Sequence, residues 1–105
     1  LLGVLHDRLL ATLAQGPTLD DCAAALGTSA ATLKRRLAAE GTHFQAELDL
    51  VRSHVALWHF GFHGADNAAV ARALGFADVT NFRRSFKRWT GQTPHGLKLA
   101  LRAAG

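Results

Sequence analysis

The sequence predicts an all-α fold of about seven helices, and three observations carry that prediction. No stretch alternates apolar and polar residues over a useful length, tyrosine is absent and valine is sparse, so strand signals are missing. Apolar residues recur instead at spacings of three and four, the period of a helix with one buried face. Glycines and capping residues then divide the chain at intervals that suit short helices.

The first helix is predicted over about Leu2–Ala14, with Leu2, Leu5, Leu9 and Leu13 as its apolar stripe and Gly16-Pro17 as its stop. The second covers about Leu19–Leu26, capped by Thr18, with Asp20 and Asp21 where the helix dipole favours negative charge. The third covers about Ala30–Glu40, capped by Ser29 and closed by Gly41. The fourth is long, about His43–Phe60, with a capping box expected from Thr42-His43-Phe44-Gln45. Its apolar stripe is Phe44, Leu48, Val51, Val55 and Trp58, and Gly61 and Gly64 break it. The fifth covers about Asn67–Leu74 after Asp66, the sixth about Val79–Thr90 after Asp78, and Gly75 and Gly91 end them. The seventh starts at Pro94, a residue that suits the first helical position, with Thr93 as cap.

Helices two and three resemble helices five and six. Ala23-x3-Gly27 matches Ala71-x3-Gly75, Leu26 matches Leu74, and Leu33 and Leu37 match Phe82 and Phe86. Lys34-Arg35 matches Arg83-Arg84, and the second turn is one residue longer. A small residue lets the paired helices cross closely, a glycine supplies positive φ at the turn, and the i, i+4 apolar pair faces inward. The other face of the second helix is then left to Lys, Arg, Thr and Asn. These features predict two helix-turn-helix subdomains, residues 1–41 and 62–105, joined by a linker helix over 42–61. A linker of about 18 residues is roughly 27 Å long, which allows two recognition helices to reach successive major-groove segments about 34 Å apart.

Charge agrees with that arrangement. The formal net charge is +4, and seven of the twelve Lys and Arg lie in Lys34-Arg35-Arg36, Arg83-Arg84 and Lys87-Arg88. Concentrated positive patches displace counterions from a phosphate backbone. One cysteine, Cys22, excludes an intrachain disulfide and a four-cysteine zinc site. No run of about 18 apolar residues offers a membrane span, and His6, Asp7 and Arg8 interrupt any signal-peptide core. The chain begins at Leu1 rather than Met and is expected to be part of a longer protein.

The segments Ala71–Asp78 (Ala-Arg-Ala-Leu-Gly-Phe-Ala-Asp) and Asn81–Gly91 (Asn-Phe-Arg-Arg-Ser-Phe-Lys-Arg-Trp-Thr-Gly), with Thr93-Pro94, closely resemble the signature of the AraC/XylS family of bacterial transcription regulators. Leu33–Thr42, Phe44 and Arg52-x3-Ala56 match it as well, so the resemblance spans about residues 5–100. It implies double-stranded promoter DNA as partner and recognition helices in two adjacent major-groove segments. By position it assigns base-facing roles to Ala31, Lys34 and Arg35, and to Val79, Thr80, Asn81, Arg83 and Arg84. Ala31 and Val79 are apolar where the family is often larger or polar, and suit contact with a thymine methyl. Arg36, Lys87 and Arg88 are expected on phosphates. The resemblance also implies a sensing or dimerisation domain outside these residues; the single cysteine agrees with a reducing cytoplasm, and the reading as a DNA binder expects RNA polymerase to be recruited or blocked. The isolated domain is expected to be a monomer.

Other chemistries are weaker. His59-x3-His63 has the spacing of two helix-borne metal ligands, but Gly61 lies between them and no third ligand is near, so no metal or cofactor is expected. Cys22 stands where the repeat has Val70 and reads as a small core residue. Trp58 and Trp89 read as packing residues. His43 and His95, near helix starts, are further candidates for phosphate. No carboxylate pair, nucleophile motif or phosphate loop supports an enzyme. The remaining alternative is a helical protein-interaction module whose basic faces dock an acidic partner.

Overall fold

The computed structural model describes residues 1–63 and 66–104, without the side chains of Phe62, His63 and Ala104. All regular structure among these residues is helical. The helices are α1 (Leu2–Thr12, continued by a 3-10 turn over Leu13–Gln15), α2 (Leu19–Ala25), α3 (Ala30–Ala39), α4 (Phe44–Trp58, continued by a π-helical turn over His59–His63), α5 (Asn67–Ala73), α6 (Val79–Thr90) and α7 (Pro94–Ala104). Among the described residues no helix is long and apolar enough to cross a membrane. The chain forms two compact units, Leu1–Val51 and Arg52–Gly105.

In the first unit, Leu5, Leu9 and Leu13 of the predicted stripe are buried and meet Cys22, Ala23, Leu33 and Leu37 in an aliphatic core. Cys22 is therefore a core residue, and its burial pushes the thiol pKa up, away from the reactive thiolate. Thr18 caps α2 through a reciprocal box: its hydroxyl accepts from Asp21 N at 3.1 Å, and its N–H donates to the Asp21 carboxylate at 3.3 Å. Gly27 turns the chain at φ 72°. Thr28 N donates to Ala23 O and Gly27 N to Ala24 O, which satisfies the last carbonyls of α2.

The second unit repeats this turn. Gly75 has φ 82°, Phe76 N donates to Ala71 O, and Gly75 N donates to Arg72 O. Its core is aromatic: Phe60, Phe82 and Phe86 are buried, and their ring centroids lie 5.7–6.2 Å apart. Full burial of each such ring stabilises the fold by about 1.5–3 kcal/mol. Ala23 and Ala71, the small residues of the repeat, are both buried.

Two expectations for α4 need correction. Thr42 and Gln45 do not make the predicted box. The Thr42 hydroxyl donates to Glu47 at 2.6 Å, and the Gln45 amide donates to Asp49 at 2.8 Å. Trp58 is not in the core but 50% exposed, edge-on to His59. Leu48 and Val51 of the predicted stripe are buried, and beyond them the buried face runs through Ala56 and Phe60 rather than Trp58. Ala56 is fully buried, and Phe60 fills the aromatic slot against Phe82 and Phe86. The α-helical part of α4 has 15 residues, about 22 Å at 1.5 Å per residue, because π geometry takes over at His59. Gly64, expected to help break this helix, lies outside the described residues.

Candidate nucleic-acid interface

Each unit holds its third-position helix by one hydrophobic edge. On α3 Leu33 and Leu37 are fully buried, while Ala31, Lys34, Arg35, Arg36, Ala38 and Ala39 are exposed. On α6 Phe82, Ser85 and Phe86 are buried, while Thr80, Asn81, Arg83, Arg84, Lys87 and Arg88 are exposed. Val79 is half-buried at the first turn. In neither unit is an arginine of these helices folded into the interior.

Both helices begin at a side-chain cap. Ser29 Oγ accepts from Thr32 N at 3.1 Å, and Asp78 Oδ1 accepts from Asn81 N at 2.7 Å. A cap fixes the phase of the first turn, and with it the direction of Ala31, Lys34 and Arg35, or of Thr80, Arg83 and Arg84. The far ends are fixed too. Thr42 N donates to Leu37 O after α3, and Gly91 at φ 77° donates to Lys87 O after α6.

The supports behind the two faces are different. In the first unit Glu47, 8% exposed, accepts from Thr42 and pairs with His6 Nε2 at 2.7 Å. This ties α1, the exit of α3 and the start of α4 to one carboxylate. The hydrogen bonds from Thr42 and His6 hold the Glu47 pKa below the ordinary carboxylate value. In the second unit Arg52 Nε donates to Leu74 O at 3.1 Å, and its guanidinium lies 4.6 Å from the Phe76 ring centre. A cation there complements the C-terminal end of α5. Lys98 of α7 donates to Asn67 at 3.2 Å and lies 5.0 Å from the Phe60 ring centre.

The repeat brings most of the predicted residues onto two exposed faces, but the supports were not foreseen. Arg52 had a signal, since Arg52-x3-Ala56 stands in the resemblance. Glu47 had none: an acid in the first turns of a helix ordinarily faces water. Thr32 was also missed, although its offset from Ser29 equals that of Asn81 from Asp78. Trp89 is half-buried against Phe76, their centroids 5.8 Å apart, as a packing role requires. Among the described residues no three His, Cys, Asp or Glu group as metal ligands; the side chain of His63 lies outside them.

Known proteins carry the same arrangement. A family described as a helix-turn-helix domain matches residues 22–99. The ornithine utilization regulator of Pseudomonas aeruginosa is 41% identical over 100 residues, which cover 95% of this chain and 30% of that protein. The crystal structure of a DNA-binding transcriptional dual regulator from Escherichia coli K-12 superposes with a TM-score of 0.90 at 25% identity, covering 97% of this chain and 92% of that one. The transcriptional regulator CdpR from Pseudomonas aeruginosa gives a TM-score of 0.78 at 34% identity, covering 90% of this chain and 31% of that one. This chain thus spans under a third of the length of the ornithine regulator. With a family match over most of its length, a repeated helix-turn-helix and two exposed basic helices, the chain belongs to the AraC-type helix-turn-helix family of DNA-binding transcription regulators.

Proposed function

We propose that α3 and α6 are paired recognition helices that read two adjacent major-groove segments of promoter DNA. Arg35, Lys34, Arg83, Arg84, Thr80 and Asn81 meet base edges, and Ala31 and Val79 meet thymine methyls. Arg36, Lys87 and Arg88 anchor phosphates, which fixes orientation without reading sequence. One observation carries this reading: in both units the helix after the glycine turn buries one edge, apolar but for Ser85, and turns its cations outward. Double-stranded RNA is a poor fit, because its deep, narrow major groove does not admit a helix.

In this reading residues 1–41 and 62–105 act as the two reading units and 42–61 as their linker. The chain works without catalysis, as a monomer when isolated. In the longer protein a sensing or dimerisation domain governs it, in the cytoplasm, and it recruits or blocks RNA polymerase. The decisive experiment is selection from a random duplex pool followed by anisotropy titration of the enriched sequence against random competitor. Two short boxes about one helical turn apart, bound less tightly as salt rises, are the expected result. Binding that ignores DNA sequence would overturn it and assign the basic faces to an acidic protein partner.

A further inference from the structure

Thr32 joins the cap of α3 to the guanidinium of Arg35. Ser29 Oγ donates to Thr32 Oγ1 at 2.9 Å, and Arg35 Nη2 donates to the same oxygen at 3.2 Å. The three residues follow at steps of three, so they share one face of the helix. Ser29 also accepts from the Thr32 N–H, so the hydroxyl is fixed from both its backbone and its side chain. The result is a continuous run from cap to hydroxyl to guanidinium along the outer N-terminal half of α3.

An unrestrained arginine loses much rotamer freedom when it binds, and restraint beforehand lowers that cost. The bond to Thr32 occupies one of the five guanidinium N–H groups. Four remain, enough for the paired contact with guanine O6 and N7. Lys34, beside Arg35, has no planar fork and cannot be preset in this way.

We propose that Thr32 is a positioning residue that presets Arg35 and thereby sets how selectively the first unit reads a guanine. The inference rests on the DNA-reading role of α3 proposed above. It concerns selectivity more than affinity, because a floppier arginine still attracts phosphate.

The test uses this chain and a duplex enriched from a pool randomised over both boxes. R35A first locates the base pair that Arg35 reads, as the position where its replacement abolishes preference. T32V then removes the hydroxyl but keeps the β-branch and the capped N–H, and circular dichroism melting verifies its fold. The expected result is a loss of roughly three- to tenfold in the preference for guanine over adenine at that pair, with T32S retaining the preference. In an R35A background T32V should change nothing more. Unchanged selectivity in T32V overturns the inference, as does an equal loss of overall affinity from T32V with and without Arg35, which marks an effect on the helix alone. If R35A alters preference at no base pair, or no sequence is enriched, the reading of α3 fails first and the inference with it.

Discussion

After Gly27 the first unit continues with Thr28, and after Gly75 the second continues with Phe76. The backbone turn is the same: in each case this residue donates to the carbonyl of the buried alanine five positions earlier, Ala23 or Ala71. The side chains diverge. Phe76 packs against Phe82 at 5.7 Å and Trp89 at 5.8 Å and carries the Arg52 guanidinium, so the turn itself extends the aromatic core. The first unit has no aromatic counterpart there and relies on leucines and on the Glu47 carboxylate. One backbone solution therefore tolerates two kinds of core, because the turn is fixed by glycine φ and main-chain bonds rather than by what fills the space behind it.

The largest expected effect tests that difference. Phe86→Ala should destabilise the second unit by about 3–5 kcal/mol, against about 2–5 kcal/mol for Leu37→Ala in the first. The measurement is the denaturant midpoint, with hydrogen exchange reporting which helices lose protection. A clearly larger cost at Leu37 would reverse the comparison. Next in size is base reading. Arg84→Ala should reduce discrimination at one base pair by about 1–3 kcal/mol while the preference at the first box persists. A competition titration with single-base variants of the selected site measures this, and equal loss at both boxes would contradict separate reading by two helices.

Glu47 supplies a difference in pH response. Its folded pKa lies below the ordinary value of 4.5. The carboxylate thus contributes stability that is fully present above that value and is lost as pH falls through the lower, folded one. His6 and His43 are the titratable groups that face it. Glu47→Gln should cost about 1–2 kcal/mol at neutral pH and flatten the acid limb of the first unit's stability curve. Protection of α1–α3 amides between pH 6 and 3 is the readout; an unchanged acid limb in the variant would remove Glu47 as its source.

The particular residues explain what was legible in the sequence. The turn was readable because Ala-x3-Gly and the following i, i+4 apolar pair are local, and local geometry fixes each of them. The outward set on α3 and α6 was readable for the same reason: once Leu33 and Leu37, or Phe82 and Phe86, face inward, Lys34 and Arg35, or Arg83 and Arg84, face out. Trp58 was misplaced because it continues the three-and-four spacing of Val51 and Val55, whereas the buried face passes through Ala56 to Phe60, where π geometry replaces the α period. The choice falls to Phe60, whose ring meets Phe82 and Phe86 from a distant part of the chain. Glu47 was invisible because its burial depends on His6, 41 residues away, and no periodicity connects them.

The smallest effect sharpens the comparison of charge. The repeat aligns Ala38 with Lys87 and Ala39 with Arg88, so the first unit lacks the cations that extend along the second half of α6. Arg36 is exposed and supplies one cation beyond the shared pair, against Lys87 and Arg88 in the second unit. The second unit should therefore carry more of the salt dependence. Lys87→Ala should weaken binding to all duplexes alike and lower the slope of log affinity against log salt by about 0.9, the value for one phosphate contact. Ala38 is exposed, so Ala38→Lys should steepen the slope by a similar amount without altering base preference. Anisotropy titrations between 50 and about 300 mM salt are sufficient to measure both slopes. If Ala38→Lys shifts sequence preference instead, the α3 face at that turn lies over bases rather than the backbone, and the two helices enter their grooves at different depths.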